Sequence, residues 1–211
     1  MTDLILALDV RDPAQAVAVA TACAPFIDAV KIGYPLVLAS GLRIVGELGG
    51  LGLPVIADFK VADIPNTNRL ICETVFSAGC DAVIAHAFGG SDALSACVEV
   101  AHRHGGACYA VAEMSHPGAT EFFCPETADR LAALAVAVGA DGIIAPATRP
   151  ERVLRLRDVV GGLKIYSPGV GAQGGDIHAI APMVDGVIVG RTLYEAPDPA
   201  AAAEELGWIR R

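Results

Sequence analysis

The segment Asp58-Phe59-Lys60-Val61-Ala62-Asp63 sets two carboxylates and an ammonium directly after the apolar run Pro54-Val55-Ile56-Ala57. Side chains alternate along a strand, so Asp58 and Lys60 share one face at its C-terminal end. Desolvating such groups is costly unless they pair with one another. An Asp/Lys/Asp cluster at a strand end is therefore either a structural ion network or a catalytic one. Lys31, in Val30-Lys31-Ile32-Gly33, ends the preceding strand-like run. If the two strands adjoin, ammonium groups alternate with carboxylates, and each side chain is held rigid by its neighbours. Taken alone, Lys31 reads as a lysine snorkelling from a strand end.

A second cluster is Ser167-Pro168-Gly169-Val170-Gly171-Ala172-Gln173-Gly174-Gly175-Asp176, followed one strand later by Gly190-Arg191. Glycines let backbone N–H groups approach a phosphate. Gln173 can donate from its amide, and the planar fork of Arg191 can neutralise and orient a dianion. The alternative is a set of ordinary glycine-rich turns beside a surface arginine. Gly169-x-Gly171-x-x-Gly174 also fits the dinucleotide-binding spacing. That motif belongs in an opening βαβ unit whose next strand ends in an acidic residue, whereas here it comes late and the next strand ends in Gly190-Arg191.

Positioning these groups falls to apolar runs that alternate with helix-like segments. Strands are expected at Leu4–Val10, Ala29–Ile32, Val55–Lys60, Ala82–His86, Ala107–Met114, Gly142–Pro146, Lys164–Ser167 and Val187–Gly190. Helix starts are signalled at Asp12-Pro13, Ser91-Asp92, Pro125-Glu126, Arg149-Pro150-Glu151 and Asp198-Pro199. Near-continuous Val/Ile/Ala strands are what a parallel sheet covered on both faces requires. Eight βα units in one domain, 1–211, predict an α/β chain folded as a (β/α)8 TIM barrel. An open doubly wound sheet is the alternative. Asp9, Lys31, Asp58, Lys60, His86, Ser115 and Arg191 decide between them, because they fall at the C-terminal ends of strands around the whole repeat. A barrel gathers those ends into one mouth; an open sheet scatters them.

With 54% hydrophobic and 18% charged residues, 211 residues can bury one large core. A net charge of −9 opposes nonspecific binding to nucleic acid or anionic membrane, so an anionic ligand needs a local basic cluster. The cysteines, Cys23, Cys72, Cys80, Cys97, Cys108 and Cys124, include no Cys-x-x-Cys pair and read as reduced, mostly buried thiols. Leu4–Leu8 is too short for a span and ends in Asp9, so it reads as a first strand and the expected compartment is the cytoplasm. His102 and His104 fall on an exposed helix end, His178 near a helix start and His116 before a proline. His86 alone ends a strand at the mouth, where it is expected to be packed and hydrogen-bonded. Neither a Ser/His/Asp triad nor a His-rich metal cluster is apparent.

Together, Leu8-Asp9, Lys31-x-Gly33, Asp58-x-Lys60-x-x-Asp63, Ser115-His116-Pro117-Gly118, Pro168-Gly169-Val170 and Gly190-Arg191 resemble the orotidine 5′-monophosphate decarboxylases in their compact microbial form. The match runs in order over nearly the whole chain. It implies a barrel that dimerises with active sites at the interface, converting orotidine 5′-monophosphate to uridine 5′-monophosphate and CO2 with no cofactor and no metal. By resemblance, Lys60 would protonate C6, flanked by Asp58 and by Asp63 from the partner subunit. Asp9 and Lys31 would hold ribose hydroxyls, with Thr67 joining Asp63 and Ile64 lining the partner's side. Ser115 would contact the pyrimidine edge and Pro168 border the base, while Gln173, Gly190 and Arg191 grip the phosphate. A related barrel resembling 3-keto-L-gulonate 6-phosphate decarboxylase shares Asp-x-Lys-x-x-Asp but uses Mg2+ and an acidic residue where this chain has Lys31, which would repel the metal. A noncatalytic barrel sensing a phosphorylated nucleoside would have no need of Lys60.

Overall fold

The computed structural model describes residues 2–210; Met1 and Arg211, part of the expected span 1–211, lie outside the described residues. Eight strands follow in order: β1 (Asp3–Leu8), β2 (Ala29–Gly33), β3 (Val55–Val61), β4 (Ala82–His86), β5 (Ala107–Val111), β6 (Gly142–Ile144), β7 (Lys164–Pro168) and β8 (Gly186–Val189). Each pairs in parallel with the next, and β1 closes on β8 through Asp3↔Gly186 to Leu6↔Val189. The expected (β/α)8 barrel is what forms, as one domain. Between strands run α1 (Pro13–Cys23), α2 (Tyr34–Ser40), α3 (Arg43–Gly49), α4 (Pro65–Ser77), α5 (Ser91–Arg103), α6 (Pro125–Ala137) and α7 (Pro150–Val160). After β7 come α8 (Ile177–Ile180), α9 (Arg191–Tyr194) and α10 (Pro199–Glu205).

Alternation splits the buried residues into two layers. Leu4, Leu6, Leu8, Val30, Ile32, Val55, Val83 and Ile143 face the helices, whereas Ile5, Ala7, Ile56, Ile84, Val111, Ile144 and Ile188 fill the barrel. Burying a Leu or Ile contributes about 1.5–3 kcal/mol before chain entropy is charged against it. The sequence therefore places one hydrophobic face under helices and the other against the opposite strands, which is why the runs look continuous.

The closed end of the barrel carries a fourfold device. Asp28, Asp81, Asp141 and Asp185 each immediately precede an even-numbered strand, and each carboxylate accepts from the first residues of the strand before it: Leu4, Val55, Cys108 and Ile165 N–H, all at 2.8 Å. Each of these aspartates returns its own N–H to the same residue's carbonyl, at 2.9–3.0 Å. Backbone donors that enter the sheet unpaired are thus satisfied from within the fold.

Three strands, β1, β5 and β6, end two or more residues short of the sequence-based expectation. β5 stops at Val111 instead of Met114, because Ala112 and Glu113 N–H both turn to the single carbonyl of Ile144 and the ladder cannot continue. β6 stops at Ile144, two residues before Pro146, while β1 ends at Leu8 and leaves Asp9 just beyond it. All six cysteines are free thiols, and only Cys124 is not buried. Among the described residues, no helix is long and apolar enough to cross a membrane.

Candidate active site

At the C-terminal mouth lies a cavity of about 250 Å3. Ile84, Val111, Ile144 and Ile188, from four different strands, make its apolar floor; Asp9, Lys31, Asp58 and Lys60 make one wall, and Gln173, Gly190 and Arg191 the other. The expectation that the strand ends assemble a single site is met for these side chains. The arrangement suits a flat apolar-faced group with charge at both ends.

The charged wall is a chain of alternating sign. Lys31 Nζ lies 2.6 Å from Asp58 Oδ2 and 3.9 Å from Asp9 Oδ1, and Lys60 Nζ lies 2.6 Å from Asp58 Oδ1. Lys31 is 5% exposed. Burial disfavours its ammonium, but Asp58 and Asp9 outweigh this and raise its pKa. Burial likewise pushes the Asp58 carboxyl up, yet Lys31 and Lys60 overcome it and hold it below its ordinary value. Both groups stay charged at neutral pH. The wall is a fixed array of charges that need not reorganise when a reacting group arrives.

Lys60 also departs from ordinary strand geometry. Its φ of +45° makes it the only non-glycine residue with positive φ among those described, a conformation costing about 1–2 kcal/mol. The β3–β4 register shifts at the same place, between Ala57 and Val61. Strain held at the residue that carries an ammonium into a cavity is a mark of function.

On the opposite wall, Arg191 opens α9, and among the described residues its side chain makes only a long 3.4 Å bond, to the Ala172 carbonyl. The Pro168–Asp176 loop bonds to itself through Gly171 N–H to Gly175 O and Gly175 N–H to Gly169 O, each 3.0 Å. Gly169 has φ +101°, and a Cβ there would stand 3.2 Å from Ser115 Cβ, so glycine permits the approach of Ser115 to the loop. Ser115 Oγ donates to Gln173 Oε1 at 2.9 Å, and both residues line the cavity. This loop follows β7 of a closed barrel, so the glycine spacing serves no dinucleotide fold.

The model of the "Orotidine 5'-phosphate decarboxylase / HUMPS family" matches residues 2–206. The chain belongs to that family. It is 55% identical over 207 residues to orotidine 5'-phosphate decarboxylase of Methanosarcina mazei, covering 97% of this chain and 93% of that one. The corresponding protein of Thermococcus kodakarensis is 50% identical over 206 residues, covering 96% and 94%. A crystal structure of orotidine 5'-monophosphate decarboxylase from Methanocaldococcus jannaschii, complexed with the inhibitor BMP, superposes with a TM-score of 0.95 at 41% identity, covering 99% of this chain and 98% of that one.

Asp63, Ile64 and Thr67 do not line the cavity of this member of the decarboxylase family. Asp63 Oδ1 accepts from Ile64 N–H at 2.7 Å, while its own N–H donates to Asn68 Oδ1 at 3.0 Å, and Ala62, Asp63 and Ile64 are all exposed. Ile64 is 64% exposed. His86 requires a correction: it packs beside Phe88, with centroids 4.5 Å apart, and near Phe123, but its buried Nδ1 has no hydrogen-bond partner among the described residues. Burial first, and Lys60 second, lower its pKa to about 4, so it can remain a neutral packed ring.

Tyr194 and Glu113, with the side chains that hold Glu113, escape sequence reasoning. Tyr194 lines the cavity one helical turn after Arg191. Glu113, 2% exposed, is clamped by Arg149 Nε at 2.9 Å and Arg152 Nε at 3.0 Å. Arg149 also donates to the Met114 carbonyl, and Thr148 Oγ1 to that of Ser115 at 3.1 Å, so this network fixes the backbone that presents Ser115. A lone carboxylate inside the apolar run Val111-Ala112-Glu113-Met114 was its available signal. Among the described residues, no three His, Cys, Asp or Glu side chains gather as a metal-binding group.

Proposed function

We propose that this cavity decarboxylates orotidine 5′-monophosphate to uridine 5′-monophosphate and CO2 in pyrimidine biosynthesis, with no cofactor and with Lys60 as the proton donor. Family membership and relatives of that name support a carboxy-lyase. The observation that carries the finer reading is Asp58 held between two ammonium groups at one end of an apolar-floored cavity, opposite a largely uncommitted arginine.

The C6–carboxylate bond breaks with its electron pair left on C6, in the ring plane and without an adjacent π-acceptor. An ammonium beside that carbon stabilises the developing charge and then delivers its proton, leaving an amine that solvent reprotonates. Asp58, ionised and 2.6 Å away, aims the Lys60 ammonium. In this reading Asp9 and Lys31 bind ribose hydroxyls, Ser115 the pyrimidine edge and Pro168 the base, while Gln173, Gly190 and Arg191 hold the phosphate.

We further propose a homodimer, acting in the cytoplasm, in which Asp63 and Thr67 of the partner subunit complete each site and Ile64 lines it from that side. Exposed Tyr34, Ile64 and Phe88 support this, since they follow the C-terminal ends of adjacent strands β2, β3 and β4 beside the mouth. One catalytic barrel would then serve the whole chain.

The direct test is loss of orotate absorbance in the presence of a chelator. Turnover in EDTA is expected to stay within assay error, because Lys31 and Lys60 supply the positive charge a metal would bring. Loss restored by Mg2+ would favour the metal-dependent reading instead. Arg191→Ala is expected to lower kcat/KM for the phosphorylated substrate at least about a hundredfold but for orotidine less than about threefold. Equal losses on the two substrates would remove the phosphate role.

A further inference from the structure

The bend at Lys60 has a support outside the charged wall. From Ala57↔Val83 to Val61↔Ala85, β3 takes four residue steps while β4 takes two, and the β2 register ends at Gly33↔Asp58. Neither neighbouring strand is therefore in register with Phe59 or Lys60. The Phe59 carbonyl is instead bonded at 2.7 Å by the hydroxyl of Tyr34. The Tyr34 ring stacks on Phe59, with centroids 5.3 Å apart and planes at 15°. Burial, with Asp58 nearby, pushes the Tyr34 phenol up, so the hydroxyl keeps its proton and acts as a donor.

We propose that Tyr34 is a positioning residue, whose hydroxyl holds the Phe59–Lys60 peptide in the left-handed bend that turns the Lys60 ammonium onto Asp58 Oδ1. A lysine at positive φ reverts readily to the broad extended region unless its surroundings oppose it, and reversion would swing Nζ out of place. Gly33, which pairs with Asp58, directly precedes Tyr34, so one short stretch of chain registers both the carboxylate and the bend. The inference rests on Lys60 being the proton donor.

Tyr34→Phe keeps the stack and deletes the hydroxyl. Its kcat is expected to fall about tenfold, while KM and the affinity for uridine 5′-monophosphate change less than about twofold, since neither depends on proton delivery. Specific activity should not vary over an about hundredfold dilution, because a dimerisation defect would appear there as a loss. A kcat within about twofold of wild type, an equal weakening of nucleotide binding, or a concentration-dependent loss would each overturn the positioning role. Lys60→Ala, assayed alongside, separates the two ideas: if it turns over, the proton-donor reading itself fails. Should Tyr34→Phe not fold, Phe59→Leu retains the hydroxyl-to-carbonyl bond and is expected to keep kcat within about threefold, and a deeper loss would overturn the proposal.

Discussion

Lys60→Ala is expected to lower kcat at least about ten-thousandfold, because the substitution removes both the proton donor and the nearest charge to the developing carbanion. Either loss alone is worth roughly a hundredfold or more. The fold should survive. Asp58 keeps its 2.6 Å contact with Lys31, so no buried carboxylate is left bare, and alanine tolerates positive φ no worse than lysine. Uridine 5′-monophosphate binding, measured by calorimetry, should therefore persist in the variant, with the Arg191 wall untouched. Turnover reduced by less than about a hundredfold would mean that another group donates the proton.

Mixing two inactive variants should restore activity. If Lys60 acts in its own subunit while Asp63 acts in the partner's site, a dimer of one Lys60→Ala and one Asp63→Ala chain has one doubly damaged site and one intact site. Random exchange makes about half the dimers mixed, each with one good site of two, so co-refolding should recover about a quarter of wild-type activity. Recovery should track heterodimer formation. Verified heterodimers without activity would assign Asp63 to its own chain. That outcome would require the Ala62–Ile64 loop to move, since Asp63 does not line the cavity, its carboxylate accepts from Ile64 N–H and its backbone N–H is tied to Asn68.

Much of the barrel was legible because its local patterns do not depend on distant partners. Apolar runs covered on two faces and Asp12-Pro13 or Asp198-Pro199 helix starts announce βα units: Asp12 does accept from Ala14 N–H at 2.9 Å, and Asp198 from Ala201 N–H at 3.1 Å. The fourfold aspartates went unremarked in the sequence, although they recur there as Asp28-Ala29-Val30, Asp81-Ala82-Val83, Asp141-Gly142-Ile143 and Asp185-Gly186-Val187. Their purpose was not visible, since each bonds a strand 20–33 residues away. The end of β5 was misplaced for the same reason: whether Ala112 and Glu113 continue a ladder depends on how far β6 extends beside them.

The sequence by itself determined a parallel barrel with its charges at the strand ends. Period-two alternation and the ends of apolar runs are local facts, and closure then gathers those ends into one cavity. Only the tertiary structure decided how the charges point. The left-handed bend at Lys60 exists because β3 slips against β4 and Tyr34 reaches the Phe59 carbonyl, and Glu113 can be buried because Arg149 and Arg152 arrive from a later unit. A φ value and a buried charge are each set by whatever lies opposite in space, and contacts between remote segments leave no periodic trace in the chain.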